Sequence, residues 1–183
     1  FFYFVFSLTI LILIILTFNS DVRRKSLTYL INGYNIYMIV ALQSELKNPQ
    51  PNFEIINIKL NKYLDFSNKL ANGKSKLLLG IYDAAKIVQA KVINNDDHAK
   101  LEKFNKRLVE MDPLMYEAKI WYANSLYSKN KFEKAFEQID NAIKISPLDP
   151  DPYRLGVRIA VEENDLIKLK DYCEGFSSAS LGG

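Results

Sequence analysis

The hydrophobic and polar positions divide the chain into an apolar N-terminal part and a longer amphipathic part. Residues 1–20 contain no charged side chain, and neither do residues 26–44. From residue 53 onward, apolar side chains recur every three or four positions with charged residues between them, which is the spacing of one face of an α-helix. Glycine and proline are sparse, which disfavours a turn-rich β fold. The pattern therefore predicts an all-α protein.

The first uncharged run is long enough to cross a membrane. Twenty residues at about 1.5 Å rise span roughly 30 Å, the thickness of a hydrocarbon core. A secretory signal peptide usually ends in small residues before its cleavage site, whereas residues 17–25 read TFNSDVRRK. We therefore expect residues 1–20 to be a retained transmembrane anchor. The basic residues at 23–25 slightly favour a cytoplasmic position for the rest of the chain, but a basic flank upstream of Phe1 would reverse this orientation.

The segment between residues 21 and 76 is expected to hold juxtamembrane helices and a linker. Residues 26–46 (SLTYLINGYNIYMIVALQSEL) include three tyrosines and two asparagines. Three interpretations of this run stay open: a helix at the bilayer interface, a core helix of the soluble part, or a second span. Two prolines mark residues 47–53 as a linker. Residues 53–70 have helical spacing, although the alternation of Ile56, Ile58 and Leu60 leaves a strand open.

Two prolines indicate an internal repeat. Pro113 and Pro147 each follow an amphipathic segment, and their spacing along the chain is 147 − 113 = 34. Self-similarity at a fixed period of about 20–50 residues is typical of repeat architectures. Counting back from the prolines gives units at 82–113 and 116–147, and a third unit would begin at Pro150.

The middle unit carries small residues where two helices would cross closely. Ala135 and Ala142 are seven positions apart and therefore lie on one face of a helix. Alanine lets helix axes approach toward the low end of the range of about 8–10 Å, whereas leucine would hold them apart. With Ala123, the aromatic Phe132 and the closing Pro147, this unit resembles the tetratricopeptide repeat (TPR), a helix–turn–helix motif with the same period.

The resemblance covers about residues 77–176, and it weakens outside the middle unit. The third unit turns at Asn164, where the family turns between its helices. The first unit keeps its closing proline but has Leu101 and Leu108 at the two alanine positions. The resemblance implies an α-solenoid of about three stacked helix pairs, after which residues 177–183 would form a linker-like tail.

The residues suggest no catalytic, cofactor or metal site. The only histidine, His98, follows Asp96 and Asp97, but adjacent residues at a helix start point in different directions, and aspartate there is an ordinary cap. The only cysteine, Cys173, allows no intrachain disulfide and is expected to pack on an apolar face. We predict a protein that is not an enzyme and that uses no cofactor, metal or small-molecule substrate.

The charge balance favours a membrane surface over nucleic acid as a neighbour. Residues 21–76 carry 9 lysines and arginines against 4 acidic residues, whereas residues 77–183 carry 15 against 17. The excess of positive charge thus lies beside the apolar N-terminus, while a nucleic-acid-binding protein would place it on the folded domain.

The TPR resemblance implies a protein or peptide partner in a concave groove lined by the first helix of each unit. Groove positions carried over to this sequence give five candidate binding residues: Lys86, Asn124, Tyr127, Arg154 and Arg158. The predicted function is a membrane-anchored scaffold or adaptor. The alternative is that the repeats are an accessory module of a larger enzyme or ligand-binding protein whose active domain lies beyond residue 183.

Overall fold

The computed structural model describes residues 20–71 and 76–181, which form helices and short connections without a β-strand. The all-α prediction is therefore confirmed for this part of the chain. The helices are α1 (Ser20–Leu46), α2 (Phe53–Ala71), α3 (Lys76–Gln89), α4 (Asn95–Lys100), α5 (Glu102–Met111), α6 (Tyr116–Tyr127), α7 (Phe132–Ile145), α8 (Pro150–Glu162) and α9 (Leu166–Leu181).

The anchor expected at residues 1–20 lies outside the described residues, except for Ser20 at the start of α1. Among the helices that the structure describes, none is both long and apolar enough to cross a membrane. The second uncharged run is part of α1, and the described residues pack on one face of it only. Met38 and Leu42 are buried there, while Tyr37 and Val40 on another face are exposed.

The region expected to be a linker separates α1 from α2, and α2 is a helix rather than a strand. Asn52 caps α2, because its Oδ1 accepts hydrogen bonds at 3.1 and 3.2 Å from two backbone amides of the first turn. Ile56 and Leu60 are fully buried, whereas Ile58 between them is exposed. The buried side chains of this segment therefore recur with the period of a helix and not with the alternation of a strand.

A first hydrophobic cluster joins α1, α2, α3 and α5 and extends to the start of α6. Tyr63 of α2, Ile81 of α3 and Phe104 of α5 are fully buried in it. The backbone of α3 packs closely against α1 and α2, and α2 also packs against α5. The core thus continues across the predicted boundary between residues 76 and 77.

The second half consists of two helical hairpins, α6–α7 and α8–α9, around a second cluster. Their turns recur at the interval of the two prolines, since 164 − 130 = 34, and Asn130 and Asn164 have the same left-handed backbone, with φ of 55° and 54°. The helix ends before the two prolines also match: Asp112 and Ser146 have φ/ψ of −134°/88° and −132°/79°. A residue before proline favours this extended backbone, which ends both helices.

The first predicted unit differs from these hairpins. Among the described helices, α3 makes its close backbone contacts with α1 and α2 rather than with α5. Leu101 and Leu108 are fully buried at the positions where the middle unit has Ala135 and Ala142. Because leucine holds helix axes apart, α3 and α5 share a side-chain core without the close crossing of the α6–α7 pair.

The C-terminal segment corrects two expectations. The tail expected to be a linker is helical through Leu181; Ala179 is buried, and the hydroxyls of Ser177 and Ser178 donate to carbonyl groups four residues earlier. Cys173, expected to pack on an apolar face, is exposed. The preceding residue, Tyr172, is buried instead. The face of α9 that packs in the core therefore includes Tyr172 and not Cys173.

Candidate partner-binding groove

A pocket of about 370 Å³ opens between α3, α4, α6 and α8. It brings together three of the five residues predicted for the groove, Asn124, Arg154 and Arg158, with side chains from two further helices. Its lining consists of Gln89, His98, Ile120, Trp121, Asn124, Asp151, Arg154, Leu155 and Arg158. We call this cavity the α6–α8 pocket.

Arg158 is held in a fixed position on the wall of the α6–α8 pocket. Its Nη2 donates to Oδ1 of Asn124 at 2.6 Å, and its Cζ lies 4.9 Å from the centroid of the Tyr127 ring. Asn124 is oriented in turn, because its Nδ2 donates to the carbonyl of Ile120 at 3.1 Å. Tyr127 itself is only 5% exposed and donates its hydroxyl to Glu162. Tyr127 therefore supports Arg158 and does not line the pocket.

Arg154 lies at the rim. Its Nη1 is 3.2 Å from Oδ1 of Asp151, one helical turn earlier on α8, and its side chain is 67% exposed. Its Cζ lies 5.9 Å from the Phe176 ring centroid. An ion pair this exposed contributes little to stability, so the guanidinium can exchange Asp151 for another anion at low cost.

Lys86 does not line the pocket. Its Nζ lies 5.1 Å from the centroid of the Tyr82 ring, and that ring stacks on Trp121 with a centroid distance of 5.9 Å. Tyr82 donates its hydroxyl to Glu117; burial and this bond raise its pKa to about 12. Lys86 therefore contacts the pocket only through an aromatic pair.

Two pocket residues that the sequence did not predict each have one buried side-chain atom that makes no hydrogen bond to the described residues. Gln89 Nε2 donates to Oδ1 of Asn105 at 2.9 Å. The buried Gln89 Oε1 and His98 Nδ1 have no hydrogen-bond partner among the residues that the structure describes. Burial, with a further contribution from the Arg158 charge, lowers the pKa of His98 to about 4. The ring is therefore neutral near pH 7. Buried polar atoms without a partner are uncommon in folded proteins.

The aspartates beside His98 do not join it in a metal site. Asp96 pairs with Lys100 at 2.5 Å, while the amide of Asp97 donates to Oδ1 of Asn94, which caps α4. Within residues 20–71 and 76–181, no group of three or more histidine, cysteine, aspartate or glutamate side chains could hold a metal ion.

A second, wider cleft of about 650 Å³ runs along α2, α4 and α5 and is rich in lysine. Most of this positive charge is compensated, because Lys129 pairs with Glu102, Lys100 pairs with Asp96 and Lys106 lies 3.6 Å from Glu110. The described lining of the α6–α8 pocket has two arginines and one acidic residue, Asp151.

Comparison with known proteins gives no functional assignment. No protein-family model matches the chain, and no curated protein matches it either.

Proposed function

We propose that this chain is a membrane-anchored, non-catalytic scaffold of TPR-like helix pairs that binds an extended, acidic segment of a protein partner in the α6–α8 pocket. The recurrence of the left-handed turns at Asn130 and Asn164, at the interval of the two prolines, supports the TPR-like arrangement. The uncharged residues 1–20 support the anchor.

One observation carries the binding proposal: among its described lining residues, the pocket has two guanidinium groups beside a single acidic residue, Asp151. Arginine binds carboxylates through charge-assisted hydrogen bonds, which are the stronger ones in proteins. Gln89 Oε1 and His98 Nδ1, which have no hydrogen-bond partner among the described residues, are buried below the pocket surface and are not part of this proposal. An extended peptide with aspartate or glutamate side chains offers carboxylates a few ångströms apart, and these fit the two guanidinium groups.

Binding of a defined peptide tests the proposal. The probe is a fluorescein-labelled peptide of alternating glycine and aspartate, and the comparison peptide replaces aspartate with lysine. With the chain in detergent micelles, fluorescence anisotropy should show tighter binding of the aspartate peptide. Arg154→Glu/Arg158→Glu should weaken it at least about tenfold, since charge-assisted hydrogen bonds contribute roughly 1.5–3 kcal/mol each.

A charge-matched variant provides the control. Lys103 and Lys106 on α5 are exposed, and Lys103→Glu/Lys106→Glu changes the net charge by the same amount outside the pocket. Equal weakening by both double variants would show unspecific attraction to positive charge and would contradict the proposed site. No preference for the aspartate peptide would contradict an acidic partner.

A further inference from the structure

Helix α1 has two apolar faces, and the part of the chain that the structure describes covers only one of them. Met38, Leu42 and Leu46 are buried against the core. Five large apolar side chains on another face are between 56 and 77% exposed. We call these five the α1 stripe: Tyr29, Leu30, Ile36, Tyr37 and Val40.

The members of the α1 stripe form one continuous surface. At about 3.6 residues per turn they fall within an arc of about 120°, and Tyr29 and Val40 are roughly 17 Å apart along the axis. Gly33 lies in the middle of this arc, and a Cβ placed there would meet nothing within 4 Å. Isolated exposed apolar residues are common, but a contiguous apolar patch marks an interaction surface.

We infer that the α1 stripe lies against the interfacial layer of a lipid bilayer, as a second membrane contact beyond the expected anchor. The chain reaches α1 directly from the uncharged residues 1–19, and residues 26–44 of the helix carry no charge. Tyr29 and Tyr37 suit this position, because tyrosine places its ring among acyl chains and its hydroxyl among headgroups. The opposite face of α1 packs on α2 and α3, so the helix lies along the bilayer plane.

Charge favours a bilayer over a second copy of the chain as the occupant. Three consecutive basic residues at 23–25 precede the stripe, and residues 21–76 carry 9 basic against 4 acidic residues. A second copy would present the same net-positive segment and thus no excess of acidic partners for these basic residues, whereas anionic headgroups attract each nearby lysine or arginine by about 1 kcal/mol.

Site-specific fluorescence tests the inference on the 183-residue chain. In a Cys173→Ser background, which removes the only native cysteine, the variants Ile36→Cys and Val40→Cys carry an NBD label. Lys134→Cys on α7, an exposed position outside the stripe, is the control. Each protein is reconstituted into vesicles of phosphatidylcholine and phosphatidylglycerol in a 3:1 ratio. Quenching is then measured with doxyl-labelled lipid and with aqueous iodide.

The expected result is that both α1 labels are quenched by doxyl lipid and shielded from iodide, while the label at residue 134 behaves in the opposite way. If the chain floats with the vesicles but iodide quenches the α1 labels as much as the control label, the result supports the anchor and contradicts this inference. Shielding from both quenchers would mean that protein covers the stripe and would overturn the inference. Failure to float with the vesicles would overturn it together with the anchor.

Discussion

Arg158 on α8 donates a hydrogen bond of 2.6 Å to Asn124 on α6, and the two residues are 158 − 124 = 34 positions apart. The same interval separates the left-handed turn residues Asn130 and Asn164. The bond therefore joins equivalent positions of two successive helix hairpins. It also fixes one guanidinium group of the pocket in place.

Replacing Arg158 should affect binding far more than stability. Arg158 is exposed, and exposed polar contacts of this kind contribute less than about 1 kcal/mol to the free energy of unfolding. We expect Arg158→Ala to weaken binding of the aspartate peptide about tenfold in anisotropy titrations. The free energy of unfolding measured in urea should change little. Lys106→Ala, which removes an exposed lysine outside the pocket, is the control and should change neither peptide binding nor stability. A large loss of stability would assign Arg158 to the fold instead.

The free energy of unfolding should fall as the pH is lowered from about 6.5 toward 4, in part because of His98. Burial lowers its folded-state pKa to about 4, below the unfolded value of about 6.5. In this window the unfolded chain binds a proton that the folded chain does not, so stability is present above pH 6.5 and lost on acidification.

His98 contributes on the order of 2 kcal/mol to this loss of stability, after allowance for solvent screening. His98→Gln stays neutral at every pH and should lose less stability between pH 7.5 and 4.5 in urea unfolding. Equal losses in the two proteins would mean that His98 is accessible to protons in the folded state.

A side chain at Gly156 should destabilise the protein, because α9 lies too close. A Cβ at Gly156 would come within 2.6 Å of the Tyr172 ring. That ring cannot easily move, since it stacks on Phe136 with a centroid distance of 5.8 Å and its hydroxyl donates to Asp140 at 2.7 Å.

We expect Gly156→Ala to destabilise the protein by about 1–2 kcal/mol in urea unfolding, because overpacking exceeds the gain in helix propensity. Gly33→Ala is the matched control in open space on α1 and should stabilise by about 0.5–1 kcal/mol. A stabilised Gly156→Ala would contradict the close crossing of α8 and α9.

Asn105 should be needed for the junction between the two halves of the molecule. It is fully buried on α5, accepts from Gln89 on α3 at 2.9 Å and donates to Ser125 and to the carbonyl of Trp121 on α6 at 2.9 and 3.2 Å. Asn105→Ala would leave these buried groups without partners.

We expect Asn105→Ala to lower the free energy of unfolding by about 2–3 kcal/mol. The exposed Asn48→Ala in the α1–α2 connection is the control, for which a change within about 0.5 kcal/mol is expected. Thermal and urea unfolding both measure the difference. Similar values for the two variants would show that water replaces the lost bonds.

The sequence alone determined the local features of the repeat. Ala135 and Ala142 are fully buried, the helices before Pro113 and Pro147 end two residues ahead of the prolines, and Asn164 forms the turn. These outcomes depend on side-chain size, helical period and the restricted backbone before proline, and each acts over a few residues.

Only the tertiary structure decided what surrounds the pocket and which helices pair. Asn124, Arg154 and Arg158, which the sequence predicted for the groove, meet in the pocket from neighbouring helices, and Gln89 and His98 enter it from α3 and the short α4. Their positions depend on the packing of α3 against α1 and α2. Several apolar surfaces compete for α3, and no local sequence pattern shows which of them it contacts. Local preferences specify a helix and its ends, whereas the lowest free energy of the whole core decides which faces meet.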